Sequence, residues 1–166
     1  MAETGRHDMA VKRTLSVRTA SVLAGMMLGA SANAMAAEGA FDAELARSVG
    51  ADQRGMKSYV LVVLKSGPTR VADGPERDEM FKRHFANIER LADEGRLVLA
   101  GPFDGVDGWR GLFVLAVTDI EEARRLVGTD AVVMKGEMVA EYHKYYGSAA
   151  LMLMNDLHKR LVPKRP

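Results

Sequence analysis

Four histidines and no cysteine set the acid–base and thiol chemistry open to this 166-residue chain. His84 stands out by its position. In the stretch FKRHFANIERLADEG, residues Phe81, Phe85, Ile88, Leu91 and Ala92 recur at three- and four-residue spacing and form one apolar stripe of a helix. His84 lies in that stripe. A titratable ring placed there either bonds a backbone carbonyl inside the core or works as an acid and base in a pocket, and helical spacing fits both. Of the others, His7 belongs to an N-terminal segment and His158 stands in solvent beside Lys159 and Arg160. His143 alternates with Val139, Glu141 and Tyr145, as on one face of a strand.

The remaining residue types narrow the chemistry further. Ser66 and Ser148 lack any nucleophile motif around them, and no G-x-S-x-G is present, so acyl transfer through serine has no support. Gly101-Pro102 and the glycines from Gly105 to Gly108 have neither nucleotide-cradle spacing and read as turn residues, so no cofactor is expected. Tyr59, Trp109 and Arg110 fit the mouth of a pocket that takes an acidic or aromatic ligand; they fit a strand edge and a hairpin start equally well.

The elements that would position these groups follow from periodicity. Lys57 to Leu64 (KSYVLVVL) is apolar on both alternating faces, as expected of a central strand covered on both sides. Asp73-Gly74-Pro75 opens a helix with a capping residue before proline, and Glu94-Gly95 ends it. Arg96 to Phe103 and Trp109 to Thr118 are two strands joined by an Asp/Gly turn. Thr118 begins a short second helix that stops at Gly128, with an acid three positions after the cap, and Glu137 to Tyr146 is the fourth strand. The order strand, helix, strand, strand, helix, strand predicts an α+β, ferredoxin-like split βαβ fold: a four-stranded antiparallel sheet with both helices on one face. The other face then needs a cover, and a second copy of the sheet is the economical one, giving a homodimer. Residues 148–166 add a C-terminal helix whose stripe is Ala150, Leu153, Met154, Leu157 and Leu161, expected to pack within or between subunits.

The front of the chain has a different character. Lys12, Arg13 and Arg18 precede an apolar run from Ala20 to Ala30 and then small residues, the layout of a secretory signal over residues 1–36, with cleavage after Ala34 or Ala36. An uncleaved anchor is the alternative, but the run is short of the roughly 20 apolar residues a span needs. Residues 37–56 read as a linker or frayed helix. Loss of residues 1–36 takes +2 from a net charge of +1 and leaves −1. The expectation is a periplasmic or secreted protein with no stable membrane span and no electrostatic drive toward nucleic acid.

From Tyr59 to about Tyr146 the chain resembles the YCII-related family of small α/β proteins. The residues that carry the likeness are Arg77 and Arg83-His84 on the first helix and the block Gly95-Arg96-Leu97-Val98-Leu99-Ala100-Gly101-Pro102-Phe103. Gly111 opening a strand and a helix closing on Asp130 complete it. The resemblance sets the domain at residues 57–147 and implies a dimeric α+β barrel in which His84 and Asp130 meet in a pocket. Where the family has Asp-Pro, this chain has Asp130-Ala131, which removes the ring that would fix the following backbone. The family also resembles muconolactone-isomerase-like and dehydrochlorinase-like proteins, which implies isomerase or lyase chemistry on a small molecule. A carboxylate on one ring nitrogen fixes the tautomer and frees the other nitrogen for proton transfer. The alternative is a ligand-binding or structural dimer without catalysis. No metal is expected, since His84, Asp130, His143 and Glu141 lack any metal-ligand spacing.

Overall fold

The computed structural model describes residues 40–163. The leader-like residues 1–36 and both cleavage positions lie outside the described residues. The segment expected as a linker is partly ordered: Asp42 accepts from the amides of Glu44 and Leu45 and starts α1 (Ala43–Ser48).

Strand β1 (Met56–Ser66) runs through the middle of the sheet. It is followed by α2 (Pro75–Asp93), β2 (Leu97–Pro102) and β3 (Trp109–Leu115). Two short helices, α3 (Ile120–Val127) and α4 (Ala131–Met134), lead into β4 (Met138–Ser148), and α5 (Met154–Leu161) ends the described chain. The strand order is β2-β3-β1-β4, every neighbour antiparallel, as the ferredoxin-like reading expects. None of the described helices is long and apolar enough to cross a membrane.

The alternating pattern of β1 explains the two layers. Val60, Val62 and Leu64 point to one side and pack with Phe113, Leu115 and Met138 of the sheet, Met80 and Leu91 of α2, and the short helices through Ala123, Val127 and Val132. Tyr59 points to the other side and packs with Val98 and Val114. That outer layer is partly covered by the chain itself. A 3₁₀ segment, Ala149–Leu153, lays Leu151 and Met152 against it, and Asn155 at the start of α5 donates to the Leu97 carbonyl. The beginning of the tail therefore packs on its own domain, while Leu157 and Leu161 of the expected stripe remain exposed. Further along the same face Val139 and Tyr145 remain exposed.

Several local expectations shift. The cap position of α2 is Gly74, at φ 140°, and Pro75 takes the first turn; Asp73 instead pairs with Arg70 and Arg77. Asp119, not Thr118, caps α3: its carboxylate accepts from the Glu121 amide at 3.1 Å. The helix α4 is too short, at four residues, to leave a periodic signal.

Candidate functional site

His84 faces inward from the middle of α2 and is 8% exposed. Three aromatic rings fix its plane. Phe113 stacks on it at 6.1 Å and 20°, Phe81 meets it edge-on at 6.1 Å, and Phe85 lies 5.4 Å away. Across the helix layer, Asp130 sits at the junction of α3 and α4 and is fully buried. His84 Nδ1 lies 2.9 Å from Asp130 Oδ1 and 2.8 Å from Oδ2.

A buried carboxylate must be given donors, and Asp130 has three. Beside the imidazole, the Val132 amide donates to Oδ1 at 3.1 Å and the Asn87 amide nitrogen donates to Oδ2 at 3.2 Å. The first of these is also the N-cap bond of α4, so one carboxylate starts a helix and holds the ring. That cap answers the missing proline. Ala131 occupies the first helical position, where proline would also fit, and the side chain of Asp130 restrains the backbone that the ring would have fixed.

An ionised carboxylate only accepts, so the ring proton belongs on Nδ1 and the lone pair on Nε2. Nε2 has no hydrogen-bond partner among the described residues, yet no fully buried side-chain nitrogen or oxygen there lacks one. Nε2 is therefore reachable from open space. That space is a cavity of about 450 Å³, lined chiefly by Phe81, Phe85, Phe103, Phe113, Arg110 and His84 itself. Its wall is apolar apart from the imidazole and the arginine, whose guanidinium makes no ion pair or hydrogen bond among the described residues.

The expected site residues divide. His84, Asp130 and Arg110 come together around this cavity or directly behind it. Tyr59 does not. It is one residue out of phase with Val60, Val62 and Leu64, so alternation sends its ring to the opposite sheet face. There its hydroxyl donates to the Ser148 carbonyl at 3.0 Å, and burial, with Tyr145 nearby, pushes the phenol above its ordinary value. Tyr59, expected with Arg110 at a pocket mouth, therefore lies on the face away from His84 and does not line this cavity. Trp109 does not line the cavity; its ring centre lies 5.4 Å from that of Phe103, which does. His143 is exposed on the outer face of β4, where Nε2 lies 2.9 Å from Glu141.

Two polar residues escaped the sequence reading. Asn87 follows His84 by three positions and so shares its helix face, a spacing that could have flagged it. Glu137, 3% exposed, had no such signal. Its Oε1 pairs with Arg77 at 2.8 Å and its Oε2 accepts from the Val71 amide at 2.8 Å, while Arg77 also donates to the Val71 carbonyl. Burial pushes the Glu137 carboxyl up, but the Val71 amide and Arg77, with Arg70 further off, outweigh it and hold it below the usual range. No group of three side chains suited to a metal ion occurs among the described residues.

The fold and this histidine–aspartate pair can be set beside known families. Residues 56–143 match the family model of the YCII-related domain, a little over half of the 166-residue chain. No curated protein matches the chain. The match covers β1 through most of β4 and so includes His84, Asp130 and Arg110. The chain belongs to the YCII-related domain family.

Proposed function

We propose that this protein moves a proton on a small, largely apolar molecule carrying one acidic group, in an isomerisation or an elimination. The observation that carries the reading is the pairing of a tautomer-fixed imidazole with a cavity: Nδ1 is held by buried Asp130, and Nε2 opens onto a cavity of about 450 Å³ with a mostly apolar wall. The Nε2 lone pair takes a proton from carbon, and the C–H electron pair moves into the adjoining π system. The imidazolium then either returns the proton at a different carbon or keeps it while a halide or similar anion departs. Asp130 stays ionised throughout and stabilises the cation formed on the ring. Arg110 supplies the charge complement for a substrate carboxylate.

The same reading has two copies meet through the outer sheet face, where Val139 and Tyr145 are exposed in one strand. It places the protein in the periplasm or outside the cell on the strength of the leader-like residues 1–36. The test is a turnover screen of unsaturated lactone acids, phenols and halogenated ring acids with wild type and His84→Gln. Turnover in wild type that His84→Gln abolishes, with folding intact, is the expected result. Equal turnover in both would remove His84 from the chemistry, and saturable ligand binding without any turnover would leave a binding protein.

A further inference from the structure

The hydrogen bonds behind Asp130 do not stop at the carboxylate. Asn87 donates to Asp130 Oδ2 through its amide nitrogen, and its own Oδ1 accepts from Arg90 Nη2 at 2.7 Å. Arg90 is anchored in turn by Glu94, at 2.7 Å from Nη1. The Thr129 hydroxyl lies 3.1 Å from Asn87 Oδ1 and 2.7 Å from the Leu126 carbonyl, and having a single proton it serves one of them at a time.

This arrangement decides which way the amide of Asn87 points. A guanidinium has five donors and no acceptor, so Asn87 must turn its oxygen to Arg90. Its NH₂ then faces the carboxylate. The flipped amide would set oxygen against the Asp130 oxygens and nitrogen against the guanidinium, two repulsive contacts in place of two bonds. Asn87 and the Val132 amide thus place one donor on each carboxylate oxygen, and His84 Nδ1 sits between the two at 2.9 and 2.8 Å. Residues 84, 87 and 90 follow at three-residue steps of α2, so a single helix face carries the ring, the amide and the cation that orients it.

We infer that Asn87 and Arg90 are positioning residues for the His84–Asp130 pair: Arg90 fixes the direction of the Asn87 amide, and that amide fixes the plane of the Asp130 carboxylate and hence the Nδ1–H tautomer of His84. The inference rests on the acid–base reading of this pair. It adds a path from a salt bridge at the surface to the ring nitrogen that faces the cavity.

The test uses the full chain labelled with ¹⁵N-histidine, read by nitrogen shifts and by solvent exchange of the ring proton at alkaline pH, where the shifts no longer change. His84→Gln assigns the signal. Wild type is expected to show one tautomer, protonated at Nδ1, with a slowly exchanging proton. Asn87→Leu is expected to admit the Nε2–H tautomer and to speed Nδ1–H exchange roughly tenfold, the equivalent of one charge-assisted bond. Arg90→Met should give a smaller change of roughly threefold, and Arg90→Lys, which keeps a charged donor, should restore wild-type behaviour. Should Asn87→Leu fail to fold, the Arg90 variants carry the test alone, since Arg90 is half exposed. Wild-type tautomer and exchange in Asn87→Leu, or in Arg90→Met where only that folds, would overturn the positioning role and leave the acid–base reading standing. An Nε2–H tautomer in wild type itself would overturn both.

Discussion

Two buried carboxylates tie the same helix to the segment that follows α3, and they are built for different ends. Glu137 meets Arg77, and Asp130 meets His84, seven residues or two turns further along the same face of α2. Both acids are shielded from water and both accept a backbone amide as well as a side chain. At Glu137 the partner is always charged, and it also bonds the Val71 carbonyl, closing the 67–74 loop onto the start of β4. The same loop is pressed so close at Gly67 that an added Cβ would lie 2.0 Å from the Gly136 carbonyl oxygen, which only glycine avoids. At Asp130 the partner is a ring with a second nitrogen, and that nitrogen faces a cavity. A buried acid is a staple where its partner is spent and fixed in charge. It becomes an orienting group where the partner keeps a free, protonatable atom.

The comparison is broken most severely at Asp130. Asp130→Leu removes the cap of α4 and leaves the His84 and Asn87 donors unpaired, and is expected to cost about 3–5 kcal/mol by urea denaturation. Glu137→Gln should cost less, about 2–3 kcal/mol, because the amide oxygen can still accept from Arg77 or the Val71 amide. A greater loss at Glu137 than at Asp130 would invert the roles assigned to the two sites.

Acid sharpens the contrast. Glu137 is held below its ordinary value of 4.5 in the folded chain, so its contribution is complete above that value and is lost as pH falls through the lower folded value. The stability gap between wild type and Glu137→Gln should be constant near neutrality and narrow below about pH 4.5. A gap that is unchanged down to pH 3 would show that the carboxyl is not preferentially ionised in the fold. His84→Gln, by contrast, should cost only about 1 kcal/mol, since an amide can still donate to Asp130, while abolishing turnover. The smallest effect is expected on the open face. The Lys65–Glu141–His143 cluster is exposed, and Glu141→Gln should leave the denaturation midpoint unchanged even though its carboxyl is held low, chiefly by the bond from Lys65.

Much of this was legible in the chain itself, for physical reasons. The β1 stretch is apolar on both faces because one side meets helices and the other is partly covered by the 3₁₀ segment. Its hydrophobicity marks both faces as covered but does not say by what, and the sequence pointed to a second copy of the sheet. His84 was legible because a polar residue in an apolar helical stripe is rare enough to draw notice, and Asp130 because a family resemblance pointed to it. Tyr59 was harder to place: aromatic type and strand position suggested a pocket mouth, and period-2 alternation with Val60 sends its ring to the face away from His84. Arg77–Glu137 was illegible because the partners lie 60 residues apart and nothing local marks Glu137 as buried. Asn87 lay between, visible at three-residue spacing but meaningless until Asp130 is placed opposite it.

The central claim is that Nε2 of a buried histidine is open to solutes. Diethyl pyrocarbonate acylates an unprotonated, reachable imidazole nitrogen, and peptide mass spectrometry of the folded protein reads each histidine separately. The account predicts modification of His84 as well as of exposed His143 and His158. His84 untouched under conditions in which His143 and His158 react would show that no solute reaches that nitrogen, and the proposed proton transfer could not take place there.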